Sequence, residues 1–112
     1  MYMPVSYEGP VEDYKKLLNG VQLWDVGVER QVQIKGPDAE ALSQFLTPRN
    51  IKKCSIGQAM YTPLVDFKGG LLNDPVMLKI DADCFWFSVS DGDLILWVQG
   101  IAAVSYTHLT LP

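Results

Sequence analysis

The sequence predicts an α+β domain, a mostly antiparallel sheet with helices packed on it, and three observations lead there. Extended segments succeed one another through short Gly, Asp and Asn turns rather than through repeated helical crossovers. Such hairpins join antiparallel neighbours, whereas a parallel pair needs a crossover connection. Two early segments carry start and stop signals around apolar residues at helical spacing. The run Phe85-Trp86-Phe87 has the aromatic density of a strand buried on at least one face.

Taken in order, "PVEDYKKLLNG" (10–20) places Glu12 and Asp13 ahead of Lys15 and Lys16 and ends on Asn19-Gly20, the charge order and stop signal of a short helix. "VQLWDVG" (21–27) and "ERQVQIKG" (29–36) read as strands. In the second, Val32 and Ile34 alternate with Gln31, Gln33 and Lys35, so one face is expected to be wet. "GPDAEALSQFLTP" (36–48) opens on Pro37-Asp38 as a cap, carries Ala41, Leu42, Phe45 and Leu46 at helical spacing, and stops at Pro48. A polar connection, "NIKKCSIGQ", leads into "AMYTPLVD", extended but interrupted by Pro63, and "DFKGG" (66–70) supplies a hairpin turn into Leu71 and Leu72.

Asn73-Asp74-Pro75 then breaks what would be one continuous strand. Proline cannot donate to a ladder, so the strand must bend there. Asp74 is either a turn carboxylate bonded to its own backbone or a side chain re-aimed by the irregularity, as happens beside active sites. "VMLKI" and "CFWFSVS" form a second hairpin through "DADC". Asp91 caps a helix beginning near Asp93, with "LILWVQGIAAV" as its body.

With 112 residues the chain makes one domain or part of a larger one, and its 48% hydrophobic and 20% charged content suits a globular protein. A net charge of −4 argues against a nucleic-acid partner. The one basic cluster, "PRNIKK" (48–53), reads as a solvated loop or as a contact for an anionic ligand tail. No segment has the apolar length of a membrane span, and the start lacks a basic region followed by an apolar one, so a cytoplasmic location is expected. Cys54 and Cys84 lack metal-ligand spacing and are expected to be reduced and structural. The lone His108 makes a His-based triad or zinc site an unattractive reading. There is no P-loop, dinucleotide fingerprint or nucleophile elbow. Composition and spacing alone stop at an α+β domain.

Longer motifs carry the reading further. The order W-D-V, I-K-G-P-D-A, Y-T-P, G-G-x-L-N-D, within "LWDVGVERQVQIKGPDAEALSQFLTPRN" and "GQAMYTPLVDFKGGLLNDPV", resembles the folate-binding N-terminal region of the aminomethyltransferase family, whose type member is the glycine cleavage T-protein. "TPRN", "LNDPV" and "CFWFSVSDGD" are most similar to the branch containing dimethylsulfoniopropionate demethylase. The resemblance runs from about Tyr14 to Ala103. It implies a fragment of a tetrahydrofolate-dependent methyl or aminomethyl transferase, with the pterin in a central cavity and no metal. A folate-binding relative without transferase activity, of the iron–sulfur assembly type, is the alternative.

By the same resemblance Asp74 matches the family's cavity aspartate near the pterin and the reacting nitrogen. Tyr61, in Y-T-P, matches a cavity tyrosine that faces folate or substrate, and Ser90 stands where T-proteins carry a pterin-binding asparagine. The implied partner is a small-molecule methyl donor or an aminomethyl-lipoyl carrier protein. Gly27, Val28 and Glu29 replace the S-H-M of T-proteins, and Leu78 replaces a tyrosine, which weakens the case for the lipoyl carrier. "SYTHLTLP" (105–112) breaks the helical pattern, carries no Asp, Glu, Lys or Arg, and resembles translated adapter read-through. The domain is therefore expected to occupy 1–104, a short terminal strand being the other reading of the tail. A sheet truncated in this way is expected to be inactive alone and to expose apolar surface and open edges.

Overall fold

The computed structural model describes residues 4–24, 27, 29–89 and 92–110, with side chains described as far as Val104. Helix α1 spans Pro10–Asn19, strand β1 Gln31–Lys35 and helix α2 Ala39–Phe45, after which one 3-10 turn covers Ile51–Lys53. Strands β2 (Ala59–Tyr61), β3 (Leu64–Val65), β4 (Leu71–Asn73), β5 (Val76–Asp81) and β6 (Cys84–Ser88) follow, then helix α3 (Ile95–Thr110). Four strands form one antiparallel sheet in the order β1-β6-β5-β2, and β3-β4 form a second, two-stranded one. The α+β expectation holds.

Period-2 patterning decides the two faces of the larger sheet. In β1 Val32 and Ile34 are buried and Gln31, Gln33 and Lys35 exposed, and in β6 Phe85 and Phe87 are buried while Trp86 is not. Across the register Val32, Phe87, Met77 and Met60 form one inward row. α2 covers this side over β1 and β6, and Leu94 and Val98 at the start of α3 join the same core. Lys79 also points inward. Its Nζ lies 5.4 Å from the Phe85 ring centroid and donates to Glu40 Oε2 of α2 at 3.1 Å.

Three sequence expectations need correction. Val21–Trp24 is not a strand: these residues are irregular and exposed, and Asp25, Val26 and Val28 lie outside the described residues. The apolar character of this stretch is real, but no strand of the sheet pairs with its described part. In α2 the buried residues are Ala39 and Ser43, followed by Leu46 just past its end, with Leu42 half-buried, whereas Ala41 is exposed and Phe45 is 63% exposed. Small residues at 39 and 43 let the helix lie close to the sheet, which turns Phe45 aside. Finally, α3 starts with Asp93 Oδ1 accepting from Ile95 N at 3.2 Å, Asp91 lying outside the described residues, and it continues to Thr110 where the sequence pattern reads as broken. Extending a nucleated helix costs little when no proline intervenes.

α1 forms as its charge order requires, with Pro10 in its first turn, yet it buries no residue. The radius of gyration is 17.6 Å, against about 13 Å for a compact domain of this length. Among the described residues β1 and β2 are the two edge strands of the larger sheet, with no further strand paired to either. Among the described residues no helix is long and apolar enough to cross a membrane.

Two outcomes are expected. Phe87→Ala, at a position with no exposed surface, should lower unfolding free energy by about 3–5 kcal/mol, read as a fall in urea midpoint. The open edges and exposed apolar arm should make the apparent mass in light scattering rise with concentration; a constant monomeric mass would contradict this.

Candidate functional site

The strands β2-β3 and β4-β5 are two arms of a single long hairpin, bent where it passes from one sheet to the other. Tyr61 pairs with Val76 in the larger sheet and Leu64 with Asn73 in the smaller. Between them, Thr62-Pro63 faces Asp74-Pro75. Each arm carries a proline here, so neither can continue the regular ladder. Across the gap Thr62 N donates to Pro75 O at 2.9 Å.

Buried hydroxyls hold the bend. Thr62 Oγ1 donates to Met60 O at 2.8 Å, and Thr47 Oγ1, just past α2, donates to Pro63 O at 2.7 Å while accepting from Arg49 N at 3.2 Å. Thr47, Thr62 and Pro75 are all buried. Val65 N reaches Leu46 O at 3.3 Å. The bend is thus tied to the end of α2 rather than left as a free hinge.

Tyr61 and Asp74 project from opposite arms of this bend and meet: Tyr61 Oη donates to Asp74 Oδ2 at 3.3 Å. The structure therefore brings together two of the three site residues expected from sequence. The third, Ser90, lies outside the described residues. In this chain Asp74 is exposed and Tyr61 is 51% exposed. The bend turns both outward from the core.

Asp66 shows what a purely local turn aspartate looks like. Its Oδ1 accepts from Lys68 N and Gly70 N, both at 2.8 Å, and its backbone closes on Gly69 and Gly70. Gly69 has φ 83°, where a side chain would be strained, and a Cβ on Gly70 would come within 2.9 Å of Asp66 Oδ2. Asp74 differs in accepting across the ribbon from another strand.

Beside the Tyr61–Asp74 pair lies the solvent-facing side of the larger sheet. In register, Tyr61, Val76, Ser88 and Gln31 form one row, and Ala59, Leu78, Trp86 and Gln33 the next. Gln31 Nε2 donates to Ser88 Oγ at 2.7 Å and Trp86 Nε1 to Gln33 Oε1 at 2.8 Å. Sequence reading registered this face only as wet; the pairing of β1 with β6 that assembles it is not visible in local pattern. Lys52 and Lys53 of the basic cluster are exposed. Cys54 and Cys84 are buried and free.

A family model for the GCVT N-terminal domain matches residues 1–110. The chain is 44% identical over 102 residues to dimethylsulfoniopropionate demethylase DmdA of Ruegeria pomeroyi, covering 91% of this chain and 28% of that protein. It is 31% identical over 104 residues to an aminomethyltransferase of Chlorobium luteolum, covering 90% and 28%. Trimethylamine-oxide aldolase of R. pomeroyi is 33% identical over 88 residues, 78% of this chain and 11% of that protein. The crystal structure of glycine cleavage system aminomethyltransferase T from Bartonella henselae superposes with a TM-score of 0.64 at 20% identity, over 70% of this chain and 22% of that one. The chain thus has the fold of the N-terminal part of that protein, and it spans under a third of the length of these relatives.

The bend generates a prediction of its own. Thr47→Val removes the donor to Pro63 O and the acceptor for Arg49 N at a buried position, and should cost about 1–3 kcal/mol. Tyr61→Phe, at an exposed site, should change stability by less than about 0.5 kcal/mol. Paired urea denaturation curves check the contrast, and equal effects would mean that the bend is not held from α2.

Proposed function

The chain belongs to the GCVT N-terminal domain family, and on that premise we propose that it contributes the pterin-facing part of a tetrahydrofolate-dependent one-carbon transferase. The observation that carries this reading is the Tyr61–Asp74 contact at the bend. The pair suits the group: a carboxylate can accept from the ring N–H donors of a pterin, and a phenol adds one donor and one acceptor. Tetrahydrofolate, when bound, supplies the nucleophilic nitrogen that accepts the one-carbon unit. Asp74 would hold the pterin by charge-assisted hydrogen bonds and stabilise positive charge near that nitrogen. Tyr61 would orient the carboxylate and could present its ring face to a cationic donor, an attraction of about 0.5–2 kcal/mol. Ser90 keeps a donor and an acceptor for the pterin, with a shorter reach than an amide.

The sharper form of the proposal is demethylation of dimethylsulfoniopropionate, a sulfonium compound. It is supported by the 44% identity to DmdA, against 31% to the C. luteolum aminomethyltransferase, and by Leu78 and the Gly27-Val28-Glu29 segment, which depart from the T-protein pattern. A small-molecule methyl donor then replaces the lipoyl carrier as partner. A cytoplasmic setting accords with this chemistry.

The test is a transplant. This chain, put in place of the matching segment of the R. pomeroyi demethylase, should preserve methyl transfer from dimethylsulfoniopropionate to tetrahydrofolate. Asp74→Asn in the same chimera should weaken tetrahydrofolate binding by roughly tenfold or more, the worth of a hydrogen bond to a charged group, as read by calorimetry. A folded chimera that binds folate but leaves the sulfonium untouched would overturn the demethylase form alone. Unchanged folate affinity in the Asp74 variant would overturn its role.

A further inference from the structure

We infer that Thr47, just past α2, is a positioning residue for the Tyr61–Asp74 pair: from a buried position its hydroxyl fixes the strand direction on which their contact depends, and thereby sets folate affinity. The inference rests on the folate reading of that pair and names the residue that tunes it.

The register shows why the contact depends on direction. Tyr61 stands opposite Val76 and Leu64 opposite Asn73, so with no residue gained or lost between them Thr62 stands opposite Pro75 and Pro63 opposite Asp74. Tyr61 and Asp74 are therefore diagonal neighbours, a relation that spans about 7–8 Å and that only a long side chain bridges. Tyr61 Oη reaches Asp74 Oδ2 at 3.3 Å, longer than the usual O–H···O distance of about 2.7–2.8 Å. Little slack remains before the bond is lost. A diagonal distance changes with the twist and bend of a ribbon, so this one is set at positions 62 and 63.

At those positions the ribbon cannot hold itself. Antiparallel pairs alternate between those that exchange backbone bonds and those whose backbone polar atoms face away from the partner strand. Thr62 N donates to Pro75 O at 2.9 Å, and Pro75 has no N–H to return the bond. Pro63 falls in the next, outward-facing position, so its carbonyl needs a donor from another element. Thr47 supplies it, Oγ1 donating to Pro63 O at 2.7 Å, and two residues further along Val65 N donates to Leu46 O at 3.3 Å. The end of α2 thus stands in for a neighbouring strand along Pro63–Val65. Thr47 is 5% exposed, so water competes little for the Pro63 carbonyl.

The hydroxyl is itself held. It accepts from Arg49 N at 3.2 Å, which leaves its own hydrogen for Pro63 O. Gln44 clamps the same turn, its side chain donating to Arg49 O at 2.8 Å and accepting from Ile51 N at 3.1 Å. Glu40, on the same helix, pairs with Lys79 of β5 at 3.1 Å, so the anchor is fixed against the sheet it steers.

The test uses the chimera with the R. pomeroyi demethylase, carrying Thr47→Val, Thr47→Ser, Asp74→Asn or the Thr47→Val/Asp74→Asn pair, with Ile34→Val as a core change that lowers stability elsewhere. In calorimetry Thr47→Val should weaken tetrahydrofolate binding by roughly three- to tenfold, the worth of one neutral hydrogen bond. Thr47→Ser should restore most of the loss, and Ile34→Val should leave affinity unchanged. In the Asp74→Asn background Thr47→Val should cost nothing further, since no carboxylate is left to place. Gln44→Met, which removes the clamp and keeps the hydroxyl, is a second route and should show the same pattern at smaller size. A fluorine label on the Tyr61 ring gives a reading that needs no ligand: Asp74→Asn should move its NMR resonance when Thr47 is present and leave it unmoved in Thr47→Val. Additive losses at the two positions, or an equal loss in Ile34→Val, would make Thr47 a structural residue and overturn the inference. A resonance that answers to Asp74 equally with and without Thr47 would overturn it and spare the folate reading. Folate affinity indifferent to Asp74→Asn, beside a fluorine response that needs Thr47, would overturn the folate reading and with it the claim on affinity, leaving Thr47 as the residue that places the pair.

Discussion

Two prolines set opposite each other on one hairpin decide how this chain is arranged. Neither Pro63 nor Pro75 can donate to the ladder, so a ribbon running from β2/β5 to β3/β4 cannot stay flat, and across the gap Thr62 N donates to Pro75 O. Their carbonyls remain good acceptors, and Thr47 uses one of them to tie the ribbon to the end of α2. The loss of ladder bonds is thus offset by bonds that fix direction. Tyr61 and Asp74 meet because of that direction, one from each arm, at the place where the regular sheet is interrupted.

Much of this was legible residue by residue. The alternation of Val32 and Ile34 with glutamines gave β1 its two faces, and Asp66 with Gly69 and Gly70 gave the turn between β3 and β4. The Asp74-Pro75 interruption pointed to an irregularity, which the break between β4 and β5 bears out, while the proposal of a site role for Asp74 draws on the surrounding motif rather than on the three residues. What local pattern missed was tertiary. Residues 21–24 have strand-like composition, but extended backbone needs a partner ladder and none of the described strands provides it. In α2, apolar spacing pointed to Phe45, whereas close approach to the sheet selected the small Ala39 and Ser43. The Gln33–Trp86 bond joins residues 53 positions apart, a distance over which no short-range signal acts.

Lys79 illustrates how an inward position can hold a charge. Strand period places it in the row with Ile34 and Phe85, and its side chain is only 12% exposed. Two features make the position tolerable: the aliphatic stem packs among apolar groups while the ammonium reaches Glu40, and the Phe85 ring lies within cation–π range. The pair is better understood as fixing where α2 sits on the sheet than as a source of net stability, since desolvation cancels much of the attraction between partly buried charges. Helix α2 in turn anchors the bend through Thr47.

The pairing of β1 with β6 has a consequence for how the molecule is made. The bent ribbon and the β5-β6 hairpin join near neighbours in the chain, and each can close as soon as it leaves the ribosome. Strand β1 cannot: Gln31 waits for Ser88, 57 residues later. At ordinary synthesis rates that is about three to eleven seconds, during which Val32 and Ile34 have no sheet to join. Nascent β1 is therefore the stretch for which a chaperone has the longest opportunity, and the glutamines that alternate with its apolar residues keep it from being an unbroken sticky segment in the meantime.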